Sequence, residues 1–431
     1  MIKKLLLLIL VLLVPLSIMI VSQARQLRPK ATPMVLSITP LPENGAFKDS
    51  SGNVVIWGYN SSTNFPALIK MDPSGNVLWA KEYAGLSSVI PIKALEQGSN
   101  ILLIGQAGTS LYMLRVSSSN GSPVGNASIA TFSTCSPLLL YSAITDGTNA
   151  YIAGQCGGDS LLIKVNSVLT VDWAYTYNLN SSSSADSFRD LMFEGSNLLI
   201  VGHGDFSGNL DLTLVKVDPA NPLSILLANR YNIGSFDIPY ALTQAGGNYY
   251  ITLGNGGILK LDSSYNPVSA YNYTGASFTG MTLSGSSLLV WGSISPSALF
   301  ALIDPATLSP VSAYVYQASQ NPEYATSAFP LGTGHFLLWQ GSAYAGFADS
   351  GLLVSGFSGA SPANLTAASQ TVSSSSIPPL NVGSNAPTMS STPATANNYT
   401  GTITTIYTYT PPSGGGGGGP VIIPPPPPPE T

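Results

Sequence analysis

The chain carries two histidines, His203 and His335, and few other side chains suited to moving a proton. His203 follows a glycine that ends one apolar run, and His335 opens another. Nothing in the spacing brings them together, so isolated polar residues at strand ends are the plainer reading. No serine–histidine–aspartate set can be assembled, and no Cys/His spacing suits zinc. One loop has the composition of a hard-cation site. Asp205, Ser207, Asn209 and Asp211 alternate oxygen-bearing side chains, which is how a short loop wraps Ca²⁺. It lacks the glycine and the glutamate of an EF-hand, with Lys216 at the glutamate position, so an ordinary hairpin loop is the competing reading. No cofactor other than calcium is expected.

Five cations recur in one slot of the chain: Lys70, Arg115, Lys164, Lys216 and Lys260. They suggest a ring for an anionic ligand. The slot is in a third strand, however, away from any central axis. In three of the five units an Asp two residues on shares the strand face, so local charge pairing with a buried stem is preferred. The two cysteines, Cys135 and Cys156, bracket a hairpin with its turn at residues 146–149. Outside the cytoplasm an even count suggests a disulfide. A simple register sets Cys156 opposite Leu139, so pairing requires the chain before Pro137 to fold back. The other reading is two thiols packed as small apolar groups. Glycosylation sequons stand at Asn60, Asn120, Asn126, Asn180, Asn272, Asn364 and Asn398, about as many as this composition yields by chance.

Charged residues are 8% of the chain, well below the usual quarter, and the formal net charge is −5. Every basic residue lies at or before Lys260. A nucleic-acid partner is not expected without a basic patch. Lys3 and Lys4 precede an apolar run from Leu5 to Ser22. Small residues Ser22 and Ala24 fit a leader cleaved after Ala24. The run is also long enough to stay as a membrane anchor. Residues 1–24 are thus a signal peptide or an N-terminal anchor, and either places the rest outside the cell or on its surface.

The elements that would position these side chains are set by an internal repeat. Apolar runs end in Gly58, Gly105, Gly154, Gly202, Gly254, Gly292 and Gly341. Each reads as a strand buried on both faces, with the glycine allowing a bend or a close approach. A following strand ends in Asp, Asn or Ser, as at Asp72, Ser117, Asn166 and Asp218, which suits the start of a β-turn. An outer strand follows, as in VLWAKEY, VDWAYTY, PVSAYNY and PVSAYVY. A preceding strand is recognisable in SVIPIKAL, LLLYSAIT and PYALTQA. Four strands per unit and seven units predict an all-β chain: a seven-bladed β-propeller over 34–358, with an open ring or one of six or eight blades as the alternative. MVLSITP, from Met34, is placed to supply the outer strand of the last blade and so close the ring.

The stretch ALIKMDPSGNVLWAKEYAG resembles the LDxxGNvlW-type blade repeat of secreted bacterial and archaeal β-propeller proteins. It is more distantly similar to quinoprotein-type propellers. The match is carried by Asp72, Gly75, Trp79 and Gly85 in the first unit and by Asn166 and Trp173 in the third. The resemblance implies a fold and carries no catalytic site. Residues 359–431 change character: Ser, Thr, Ala, Pro and Asn without apolar periodicity, then six glycines and six prolines. They read as a disordered, low-complexity stalk. TITTIYTYT, from Thr402 to Thr410, is the one β-prone stretch; it could add to a sheet edge of this or another molecule, but a solvated tail is the preferred reading.

These features favour a non-catalytic propeller that binds a cell-surface glycan, a protein or an envelope partner. The alternative is a secreted propeller enzyme, a quinoprotein-like dehydrogenase or a glycosidase, and a glycosidase needs two carboxylates in one cleft. Tyr59, Gln106, Gln155 and Ser293 follow the recurring glycine, so they should cluster on one ring face as a ligand surface. Their uncharged character predicts weak, salt-insensitive binding.

Overall fold

The computed structural model describes residues 33–408, apart from 40–44, 180–184, 207, 235–236, 318–321, 341–343, 349–350, 355–357, 359, 364, 377–380, 385, 387, 393–394 and 399–401. Seven sheets form the seven blades of a β-propeller. Blade 1 comprises Gly45–Lys48, Val54–Asn60, Phe65–Met71 and Val77–Ala84; blade 2, Ile90–Gln97, Asn100–Ala107, Ser110–Ser117 and Ala127–Thr131. Blade 3 is Leu138–Thr145, Ala150–Cys156, Asp159–Val165 and Val171–Asn178; blade 4 is Ser187–Glu194, Asn197–Phe206, Asn209–Asp218 and Asn221–Asn232. Blade 5 has Pro239–Ala245, Asn248–Leu253, Gly257–Leu261 and Pro267–Tyr273; blade 6 has Ala276–Ser284, Ser287–Ile294, Ser297–Ile303 and Pro310–Tyr316. Blade 7 supplies Tyr324–Leu331, Gly334–Gln340 and Tyr344–Phe347, and Met34–Thr39 pairs with the last of these as its fourth strand. The ring therefore closes by joining the two ends of the propeller, which leaves no open blade.

The second strands are apolar on both faces because each lies between two neighbouring blades. Val54 and Ile56 pack into the cluster shared with blade 7, while Val55 and Trp57 pack into the cluster shared with blade 2. Seven such clusters fill the seven interfaces between blades. A continuous apolar run is thus the signature of a strand whose alternate side chains serve two cores.

Polar latches complete each interface. Tyr83, Tyr177, Tyr231, Tyr273 and Tyr316 end the fourth strands of five blades and are fully buried. Each hydroxyl donates to a carbonyl of the next blade, in the chain that follows that blade's third strand: Gly121, Pro222, Tyr265, Leu308 and Leu352. Burial raises the phenols of Tyr83, Tyr177, Tyr231 and Tyr273 above their ordinary range, to about 12 for Tyr231, so they stay protonated donors. The terminal Asp of the third strand caps its own turn. Asp72 accepts from the amides of Ser74 and Asn76, and Asp262 from those of Ser264 and Asn266.

Three cations of the slot pair within their own blades, Lys164 with Asp172 at 3.3 Å, but none with the residue two positions on. Lys70 bonds Asp49 at 2.8 Å, and Lys216 bonds Glu194 at 2.5 Å; neither uses the Asp two residues on. Lys70 also reaches the Ser118 carbonyl, Arg115 that of Ser167, and Lys260 those of Pro305 and Ala306. All three are on the next blade. Asp72 and Asp262 hold their own turn amides, which leaves the cations to clasp the neighbouring blade.

The Ser/Thr-rich tail does more than a spacer would. Ala360–Pro362, Ala367–Ser369, Ser373–Ser376, Asn381–Ser384, Thr388–Thr392, Thr395–Asn398 and Thr402–Thr408 are strands. They pair in that order with the fourth strands of blades 6, 5, 4, 3, 2, 1 and 7. The tail thus runs back around the ring and adds a fifth, antiparallel strand to every blade. Residues 409–431, with the glycine and proline runs, lie outside the described residues.

Candidate functional site

A β-bulge interrupts the first, innermost strand of blades 2 to 7. The unpaired residue is Ile92, Tyr141, Arg189, Tyr240, Thr279 or Thr326. In four blades the residue before it faces the recurring glycine: Pro91 opposite Gly105, Leu140 opposite Gly154, Phe188 opposite Gly202 and Phe278 opposite Gly292. A Cβ on these glycines would lie 3.0, 2.4, 2.1 and 1.8 Å from the carbonyl oxygens of Ile90, Leu139, Ser187 and Ser277. The bulge presses a carbonyl into the space a side chain would need, so the close approach read from the sequence is the cause of the repeat's glycine.

Three bulge residues of consecutive blades meet at this mouth of the axial channel. The Arg189 guanidinium carbon lies 3.9 Å from the Tyr141 ring centroid and 5.9 Å from that of Tyr240. Arg189 Nε donates to Ser187 Oγ at 3.0 Å. Its two terminal nitrogens have no hydrogen-bond or ion-pair partner among the described residues. Tyr240 is 39% exposed. The Tyr141 hydroxyl reaches Gln155 Oε1 at 3.4 Å, and burial raises its pKa. Beside the cluster, Asp190 accepts from Ser142 Oγ at 2.8 Å and from the Leu242 amide at 2.9 Å. Burial raises the Asp190 carboxyl above its usual range, and Lys93 partly opposes this. A stacked, pinned cation with open donors is built to meet an anion or an oxygen-rich surface.

His203 sits behind this site, buried against Ser187 Oγ. Burial, then the charge of Arg189, lowers its pKa to about 3, so it is neutral and is held as a structural partner. His335 lies on blade 7, between Ser284 and the Gly351 carbonyl, with its pKa also lowered by burial. The two imidazoles are three blades apart.

Of the residues expected to form a ligand face, Tyr59 and Gln106 hold partners in the protein. Tyr59, Gln106, Gln155 and Ser293 end second strands, at the same end of the ring as the bulges. Gln106 grips the main chain of Leu138 and Leu140, and the Tyr59 hydroxyl donates to Asn64 Oδ1 at 2.8 Å. Gln155 is the member that joins the Tyr141 cluster. In the expected calcium loop, Asp211 is paired with Arg230 and accepts from Asn209, while Asp205 accepts from the Gly208 amide. Ser207 lies outside the described residues, and no group of three metal-binding acids, histidines or cysteines occurs among those described.

Cys135 and Cys156 are joined as a disulfide, with Cα atoms 4.5 Å apart. The bulge at Tyr141 shifts the hairpin register, so Cys156 faces Leu138 where a simple register gave Leu139. The chain before Pro137 turns back, with the Cys135 amide bonded to the Phe132 carbonyl. Among the sequons, Asn60 corrects the sequence reading: it is fully buried and its amide donates to Glu82 at 2.9 Å, which leaves no room for a glycan. Asn120 and Asn126 are exposed, and Asn272 is partly so. Asn180 and Asn364 lie outside the described residues, as does the side chain of Asn398.

Sequence reasoning passed over Tyr141, Arg189 and Tyr240. The signal was available: in blades 2 to 7 a bulge residue stands at a near-constant offset upstream of the recurring glycine. A cavity between blades 1 and 2, lined by residues such as Leu86, Val89 and Leu103, holds about 10 Å³, room for no more than a water. The channel mouth is the better candidate.

No protein-family model matches the sequence, and no curated protein matches it. Among solved structures, the chain is similar to BamB from Moraxella catarrhalis at 13% identity and a TM-score of 0.45, over 72% of this chain and 85% of that one. It is also similar to the Pan2 WD40 domain of Neurospora crassa at 12% identity and a TM-score of 0.48, over 72% of this chain and 89% of that one.

Proposed function

We propose that this chain is a non-catalytic binding propeller exposed outside the cell, and that its ligand is a glycan bearing carboxylates, read at the channel mouth. The observation that carries the reading is Arg189: stacked on Tyr141, pinned by Ser187 and open at both terminal nitrogens. A guanidinium so held offers a carboxylate two parallel donors with little entropy left to lose. The exposed ring of Tyr240 beside it gives a sugar face a stacking surface. Arg189 therefore adds a charge to the neutral surface expected from the sequence, and binding should weaken partly, not wholly, with salt.

The enzyme reading is weaker because the nearest carboxylates are occupied. Asp190 is held by Ser142 and the Leu242 amide, and Asp186 by the amides of Leu179 and Asp205. A glycosidase needs a pair free to face one glycosidic bond.

Calorimetric titration with an oligouronide and with its neutral counterpart tests the proposal. The acidic ligand should bind, and Arg189→Ala should weaken it by about tenfold or more, the scale of a charged hydrogen bond. Arg189→Lys should restore only part of the loss. Equal affinity for both oligosaccharides, or full affinity in Arg189→Ala, would remove the proposal.

A further inference from the structure

A second ring of bulges lies at the opposite end of the blades. In the fourth strands of blades 1, 4, 5 and 6 the unpaired residues are Leu78, Leu226, Val268 and Val311. All four point outward, 51%, 50%, 53% and 60% exposed. In blade 3 that bulge position is Asp172, and the adjoining turn presents Val168 at 73% exposure. Exposed aliphatic side chains are unremarkable singly; recurrence at one register in four blades makes an apolar crown on one face.

Two further observations bear on what covers this face. The belt of tail strands pairs only with the later part of these fourth strands, at Lys81–Ala84, Asn229–Asn232, Tyr271–Tyr273 and Tyr314–Tyr316. It begins beyond each bulge and leaves the crown bare. Secondly, Met34 enters the propeller on this same face. It lies opposite Phe347, at the end of blade 7's third strand, and its sulfur abuts Gly75 in the third-to-fourth-strand turn of blade 1. The sequence upstream is the apolar run Leu5–Ser22, followed by Arg25, Arg28 and Lys30. The eleven residues from 23 to 33 reach at most about 40 Å when extended.

We infer that the crown rests on a lipid bilayer, with Leu5–Ser22 retained as the anchor and the channel mouth turned away from the membrane. The inference rests on the exposed setting outside the cell proposed above. The tether holds the crown at high effective concentration beside the lipid, so several weak aliphatic contacts suffice to set the orientation. The basic linker residues favour the headgroup region. Around the crown, the carboxylates of Asp72, Asp262 and Asp304 cap their own turns and remain at the surface. They suit a zwitterionic bilayer surface better than a strongly anionic one.

The test uses the full-length chain, with its disulfide intact, in phosphatidylcholine nanodiscs containing headgroup-region spin-labelled lipid. A fluorophore is placed at Val268→Cys, at Val311→Cys or, on the other face, at Ser293→Cys. Quenching at the two crown positions should exceed that at the control by about twofold or more, as expected for side chains at the headgroup boundary. In Leu78→Asp/Val268→Asp/Val311→Asp, a probe at Val168→Cys should fall to the control level, with the protease-resistant core unchanged as the check on folding. Equal quenching on both faces, or more at Ser293, overturns the orientation. N-terminal sequencing of the native protein is a separate readout: a start at Arg25 overturns the anchor, whereas a retained anchor with equal quenching overturns the crown alone. Loss of oligouronide binding would affect neither result.

Discussion

The two rings of bulges use the same backbone device for opposite ends. In the first strands the bulge is locked from behind, because Gly154, Gly202 and Gly292 admit a carbonyl where a side chain would stand. The residues it releases include Tyr141, Arg189 and Tyr240, which meet across three blades. In the fourth strands the bulge lies at the rim, the chain on its outer side is unpaired, and the residue it releases is aliphatic and exposed. A bulge buried at the axis, where seven strands converge, brings side chains together. One at the circumference, where blades diverge, spreads them apart. The difference follows from radial position alone, and it separates a convergent polar site from a dispersed apolar surface.

The largest expected effect breaks the inner lock. Gly292→Ala puts a Cβ 1.8 Å from the Ser277 oxygen, which is backbone and cannot swing aside. We expect a loss of about 2–3 kcal/mol, the scale of overpacking in a rigid interior, read as a lower urea midpoint. A wild-type midpoint would mean that the bulge is not held by its glycine.

A smaller effect comes from pH, and it tests how tightly the inner site is sealed. His203 has its folded pKa lowered to about 3 from an ordinary 6.5. Its contribution to stability is therefore full above pH 6.5 and is lost as pH falls toward 3. Asp186, raised to about 7 by burial, slopes the other way: its contribution is present below pH 3.8 and is lost as pH rises toward 7. The wild-type curve blends the two, so the difference between wild type and His203→Gln isolates the histidine. That difference should shrink steadily from pH 6.5 to pH 4 in thermal melts. A difference that does not change with pH would show His203 to be in contact with water.

The smallest effect belongs to the outer ring. Val268→Ser should change stability by less than about 0.5 kcal/mol, because the side chain is already in water. A loss of 2 kcal/mol or more by the same urea assay, the scale of a buried aliphatic, would place Val268 in a packed interface and end the contrast between the rings.

The blades were legible because side chains specify them. Each second strand must fill two cores, so its apolar run and its glycine repeat in every unit. The outer strand from Met34 was legible for the same reason: its apolar residues are the ones blade 7 lacks. The tail was harder. Its segments join the sheets through main-chain hydrogen bonds, which Ser, Thr and Ala form as well as any residue, so no side-chain pattern marks them. Only Thr402–Thr408 combined pairing with strong β propensity, and it alone stood out beforehand.

The sequence by itself determined the seven units, the strands within them, the closure of the ring and the glycines, because these depend on periodic burial and local turn chemistry. It also held the offset that marks the bulge residues, although not what those residues would meet. Tertiary structure decided that Arg189 lies between Tyr141 and Tyr240, since cation and rings come from different blades and only the ring geometry brings them within 6 Å. It decided that Lys70 clasps Asp49 and Lys216 clasps Glu194, because the Asp two residues on from each accepts from its own turn amides. It moved Cys156 from Leu139 to Leu138 through one bulge. And it turned a low-complexity tail into a fifth strand on every blade, since pairing along a sheet edge depends on where that edge lies in space and hardly at all on the side chains that approach it.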